Sequence, residues 1–170
     1  MTAVLVPWRP TPDRQPAWDM LRRRWQALGY EPIEGTCPDG PWVKALAVED
    51  ALARTDDDVL VVADADVWCD ETAAAIAAVA QGSPWGVPHA RILRRAAEGN
   101  SLERPPHAAV PGGGITVIHR GAYLACPMPR LPRREDEVWG VALTKQFGRP
   151  WRGLADLIHY WHEPAGGSDG

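Results

Sequence analysis

Five consecutive apolar residues, Val59-Leu60-Val61-Val62-Ala63, run directly into Asp64-Ala65-Asp66. A run of that length, rich in β-branched residues and free of polar alternation, is the pattern of a strand covered on both faces. Such strands belong to parallel sheets with helices on either side, so this run points to an α/β domain. Its abrupt end places two carboxylates, one residue apart, on one rim of the sheet. Oxygen ligands there suit a divalent cation such as Mg²⁺ or Mn²⁺ with a phosphate group on its far side. Acidic residues also cap helices, and Asp70-Glu71 just downstream reads as a helix start. An Asp-x-Asp alone therefore leaves a structural role open.

The first half of the chain alternates strand and helix. Residues 3–6 form a short apolar strand stopped by Pro7. Thr11-Pro12-Asp13 opens a helix with Trp18, Leu21, Trp25 and Leu28 at helical spacing, ended by Gly29. A short strand over 31–34 and a loop over 35–41 lead to a helix with Val43, Leu46, Ala47 and Ala51 on one face. An alanine-rich helix over 71–80 follows the carboxylate pair. Ligands of parallel sheets gather beyond the strands' carboxyl ends, and Pro7, Arg9, Glu34, Asp64 and Asp66 all fall there.

The second half differs. Residues 82–113 are rich in Gly, Pro and charge and read as a loop-heavy segment. Gly112-Gly113-Gly114 then opens onto a strand over 115–118; triple glycine permits either close approach of a ligand or a plain turn. After a proline-broken loop, Glu135-Asp136-Glu137 begins a helix carrying Trp139, Ala142, Leu143 and Phe147 on one stripe. A closing strand is expected over 157–162.

At 170 residues the chain is read as one domain, 1–164, with 165–170 as a disordered tail. A net charge of −4 argues against general nucleic-acid binding, which calls for a basic face. Arg22-Arg23-Arg24 lies on a helix whose successive residues point in different directions, so it reads as solvated surface. Three cysteines without Cys-x-x-Cys spacing argue against a disulfide framework or a zinc knuckle. No apolar stretch approaches the roughly 20 residues of a bilayer span. Pro7, Arg9 and Pro10 also interrupt the early apolar run, so no signal-peptide pattern forms. The expectation is a cytoplasmic protein without a membrane span. Nine tryptophans stand against one phenylalanine; tryptophan lines sugar and nucleotide sites, although core packing is its commoner use.

Taken in order, Pro7-Trp8-Arg9, Asp64-Ala65-Asp66, the glycine run, Glu135-Asp136 and the late His159-Tyr160-Trp161-His162-Glu163-Pro164 resemble the GT-A fold glycosyltransferases. The likeness is to the family-2-like enzymes and to the galactosyltransferase and polypeptide N-acetylgalactosaminyltransferase branches. The resemblance implies a Rossmann-like α/β single domain with a mostly parallel central sheet flanked by helices. It implies transfer of a sugar, with inversion, from a nucleotide-sugar donor, a UDP-sugar by expectation, to an acceptor hydroxyl on a glycan, a protein or another molecule. It assigns nucleotide binding to Pro7, Arg9, Lys44 and Asp64, and sugar or acceptor contacts to Gly113, Gly114 and Trp139. Mn²⁺ or Mg²⁺ would be held by Asp64, Asp66 and His162, with His159 the alternative third ligand. Asp136 would be the base, with Glu135 orienting it.

Departures from the family pattern are Glu34-Gly35-Thr36 after the second strand, Glu49 where an Asn is usual, and Arg133-Arg134 in place of Trp-Gly-Gly. Two other readings remain: a sugar-phosphate nucleotidyltransferase, which would need a glycine-rich basic loop in place of Trp8-Arg9-Pro10-Thr11-Pro12, and a non-catalytic binding module.

Overall fold

The structure, a computed structural model, describes residues 1–96, 107–108 and 113–161. In chain order its elements are β1 (Thr2–Pro7), α1 (Gln15–Ala27), β2 (Ile33–Gly35), α2 (Lys44–Leu52), β3 (Val59–Ala63), β4 (Val67–Trp68), α3 (Thr72–Ala80), β5 (Trp85–Ala96), β6 (His107–Ala108), β7 (Ile115–His119), α4 (Arg120–Ala125), α5 (Glu135–Phe147) and β8 (Trp151–Trp161). The strands form one sheet in the order β2-β1-β3-β7-β5-β8-β4, with β6 beside β5.

β1 runs parallel to β2 and β3, β5 parallel to β8, and β7 antiparallel to both β3 and β5. β4 and β6 are antiparallel to their neighbours. The sheet is therefore mixed: β1, β2, β3, β5 and β8 share one direction, and β7 lies reversed in their midst.

The central run of β3 is buried on both sides, as its composition requires. Val59, Val61 and Ala63 join the core beneath α1 and α3, with Val4, Val6, Trp18, Leu21, Trp25 and Val79. Leu60 and Val62 face the opposite core with Leu5, Val48, Trp85, Trp139 and Leu143 of β1, α2, β5 and α5. The period-two alternation of a strand thus feeds two helical layers.

Several expectations need correction. The segment read as loop over 82–113 contains the 12-residue β5, whose register with β8 extends from Gly86↔Trp151 to Ala96↔Trp161. Arg91, Arg94 and Arg95 mask the apolar pattern of that strand. Residues 97–106 and 109–112 lie outside the described residues, as does the tail over 165–170. α4 falls where only loop was expected, and β8 begins six residues earlier than anticipated. Leu28 is 49% exposed because α1 stops at Ala27 and the chain turns away at Gly29, φ +85°. All three cysteines are free. Among the described residues no helix is long and apolar enough to cross a membrane.

His89 of β5 is fully buried, and among the described residues neither ring nitrogen has a partner. Burial, with a smaller contribution from Arg152, pushes its pKa down to about 4. Such a base is neutral in the native state but protonates in the unfolded chain below its ordinary value near 6.5. Acidification from pH 6.5 to 4 therefore favours unfolding, by about 3 kcal/mol at roughly 1.4 kcal/mol per pH unit. His89→Leu, similar in volume and without polar atoms, is expected to be more stable than wild type at pH 5 by more than at pH 7. Urea unfolding at the two pH values checks this; an equal gain at both would show that His89 titrates normally.

Candidate functional site

The carboxyl ends of β1, β2 and β3 share one rim, and the elements that follow them carry the charged groups. Asp64 leaves β3 with its backbone N–H donating to the Gly114 carbonyl at 2.9 Å. Gly114 has φ +72°, and a Cβ there would meet Leu157 Cδ1 at 2.7 Å. Gly114 thus serves a turn packed on β8, and Gly112 lies outside the described residues. The Asp66 carbonyl accepts from the Tyr160 N–H at 2.8 Å, and Val67 pairs with His159. β8 consequently braces the second aspartate.

Lys44, the first residue of α2, is buried, its side chain 6% exposed. Its Nζ lies 2.6 Å from Asp64 Oδ1 and 2.8 and 2.9 Å from the two oxygens of Asp136. Three distant segments meet at this ammonium. The carboxylates remain partly open to solvent, 28% and 27% exposed. Burial works against the Lys44 charge, but Asp136 and Asp64 outweigh it and hold the pKa above the ordinary lysine value. Burial pushes Asp136 up to about 6; Lys44 pulls it down, and Asp64 and then Glu135 push it up again. One lysine against two aspartates leaves the cluster a net negative charge when all three are ionised.

Asp66, only 7% exposed, faces a different cation. Arg14 Nη2 lies 3.1 Å from its Oδ2, and His159 Nε2 lies 3.6 Å from the same oxygen. The Arg14 guanidinium also lies over the Trp8 ring, 5.5 Å from its centroid. The two aspartates of the Asp-x-Asp sequence therefore engage separate cations.

The structure brings together Lys44, Asp64 and Asp136, and places Glu135 beside them at the start of α5. Arg134, immediately before, adopts left-handed backbone at φ 60°, sparse for a residue with a side chain, and its guanidinium grips Glu137 at 2.7 and 2.8 Å. Arg9 is partly exposed, donates to the Gly40 carbonyl at 3.1 Å and lies 5.1 Å from the centroid of Trp42. Pro7 is buried within β1, in register with Gly35. Glu34 is taken up structurally, accepting from Trp18 Nε1 at 2.8 Å and from Arg22 at 3.3 Å.

Trp139 does not serve a sugar or acceptor site: it is fully buried, its Nε1 donates to the Cys126 carbonyl at 2.8 Å, and it packs edge-on against Tyr123. Gly113 and Gly114 are half-buried. His162 lies outside the described residues. Arg14 and Trp42 belong to no motif and were missed; only their places just after β1 and just before Lys44 could have drawn attention to them.

Among the described residues no three His, Cys, Asp or Glu side chains gather as a metal site. Asp66 and His159 offer an oxygen and a nitrogen of the kind Mn²⁺ accepts, and Asp64 turns Oδ1 towards Lys44. No family model and no curated protein matches the chain.

Proposed function

We propose that this α/β domain is a glycosyltransferase that takes a sugar from a nucleotide-sugar donor, a UDP-sugar by preference, and passes it to an acceptor hydroxyl. The observation that carries the reading is the Lys44 ammonium lodged between Asp64 and Asp136 at the carboxyl rim of the parallel strands. Ligands of open α/β sheets collect at such a rim. Arg9, stacked near Trp42 two residues before Lys44, supplies a second cation for the nucleotide.

In this reading Lys44 takes the donor diphosphate as a charge-assisted hydrogen-bond donor. Asp136 then loses its cation, its carboxyl pKa rises above the value of about 6 that it holds beside Lys44, and it accepts the acceptor hydroxyl proton within hydrogen-bond reach. Attack opposite the leaving group inverts the anomeric centre. Asp66 and His159 are the described residues that would hold a Mn²⁺ or Mg²⁺ ion, which when bound would neutralise charge on the leaving diphosphate. Both Asp136 oxygens already lie on Lys44, which favours a second reading: a nucleotide-sugar-binding module without turnover.

A thermal-shift screen of nucleotide sugars with and without Mn²⁺ tests the donor site. A ligand at about 100 times its dissociation constant stabilises a fold by roughly 2.7 kcal/mol, a readable shift. Asp136→Asn is expected to retain or tighten UDP binding, because one competitor for Lys44 is gone, while transfer falls at least about a hundredfold. Binding without turnover in wild type would select the binding module. No shift with any nucleotide sugar would remove both readings.

A further inference from the structure

Thr144, Arg149, Pro150 and Arg152 line a cavity of about 500 Å³ between the end of α5 and the start of β8. Thr144 is eight residues beyond Asp136 on α5, or about 12 Å along the axis at 1.5 Å per residue. The cavity sits where β5 and β8 begin, at the opposite rim from Lys44.

Its two guanidiniums are set by the fold. Arg152 Nη1 donates to the His89 carbonyl at 3.3 Å. Arg149 follows Gly148, which turns at φ +81° and is pinned by its N–H to the Thr144 carbonyl at 3.0 Å and by Trp85 Nε1 to its own carbonyl at 3.2 Å. Arg14, Arg22, Arg54, Arg91, Arg130 and Arg134 each meet a carboxylate. Among the described residues neither Arg149 nor Arg152 does; Arg9, Arg23, Arg24, Arg120 and Arg133 share that state, but Arg149 and Arg152 line one concavity. In a chain of net charge −4, two cations in one concavity with no acid among its described lining residues are an electrostatic imbalance that an anion would relieve. The carbonyl end of α5 favours a cation, but Lys145 in its last turn already answers that need.

We propose that this cavity binds a small phosphomonoester, its dianionic phosphate held by Arg149 and Arg152 and its body seated against Pro150 and Thr144. The volume falls within the range of small-molecule sites. Guanidinium forks match phosphate oxygens in pairs, where lysines would act as point charges.

The test is a titration of ¹⁵N-labelled protein with glycerol 3-phosphate, inorganic phosphate and malonate. Saturable shifts are expected at the amides of Gly148, Arg149, Trp151 and Arg152, strongest with glycerol 3-phosphate. Arg149→Ala and Arg152→Ala, both at exposed positions, should each weaken that binding at least about tenfold. Absence of saturable shifts there, affinity unchanged in both variants, or tighter binding of malonate than of the phosphates would each overturn the proposal. The readout does not depend on sugar transfer.

Discussion

Lys44→Met is expected to destabilise the protein by about 3 kcal/mol at pH 7 and to abolish diphosphate binding at the candidate site. Removing one partner of a buried ion pair leaves the other charge without compensation, and that loss runs to several kcal/mol. Here two carboxylates would be left facing one another across the space of the ammonium that now lies 2.6 Å from one and 2.8 Å from the other. Their partial exposure places the expected cost at the lower end.

The pH dependence follows from the sign of the Asp136 shift. A carboxyl whose native pKa is raised binds more protons folded than unfolded between its ordinary value of 3.8 and its native value, so its ionisation costs stability above that window. Without Lys44 the native value climbs further. The defect should therefore shrink as the pH falls from 7 to 5, where Asp136 takes up a proton and the repulsion with Asp64 disappears. Urea unfolding at both pH values measures it, and pyrophosphate calorimetry reads the binding loss. A defect below about 1 kcal/mol, or one equal at both pH values, would show the triad to be a solvated surface cluster.

How much of this site was legible varies with how local its causes are. The strand over Val59–Ala63 and the helix start at Glu135 were readable because each is fixed by its own residues, an unbroken apolar run and an acidic first turn. The convergence of Lys44 with Asp136, 92 positions away, has no local signature, since it depends on α2 and α5 flanking the same rim. β5 was lost because its outer half carries arginines whose cross-strand partner, Asp156 for Arg91, lies on β8. Trp139 was misassigned for the opposite reason: an indole suits a sugar and a core equally well, and only packing against Tyr123 decides which. The contacts of Asp66 were not legible either, because the turn into β4 sets its carboxylate against Arg14 and His159, both distant in sequence.

Gly35→Ala is expected to cost about 3–5 kcal/mol although it adds a single methyl group at a backbone angle any residue adopts. A Cβ at Gly35 would lie 1.8 Å from the Ala47 carbonyl oxygen and 2.8 Å from its carbon. Both are backbone atoms of α2, which has no rotamer to yield, so the helix itself must move. Overpacking that displaces backbone reaches or exceeds the upper end of small-to-large penalties. At roughly 2–4 °C per kcal/mol for a domain of this size, the melting temperature should fall by about 10 °C. Gly86→Ala is the control, because its Cβ would meet Trp151 at an ordinary 3.5 Å, and it should melt near wild type. Gly35 also fixes the distance between β2 and the helix whose first residue is Lys44, so the surviving folded fraction of Gly35→Ala should bind pyrophosphate far more weakly. A shift of about 1 Å in a positioned group can cost on the order of a hundredfold in function. Equal melting of the two variants would mean that α2 yields freely; a low-melting Gly35→Ala with wild-type affinity would mean that Lys44 is not the diphosphate ligand.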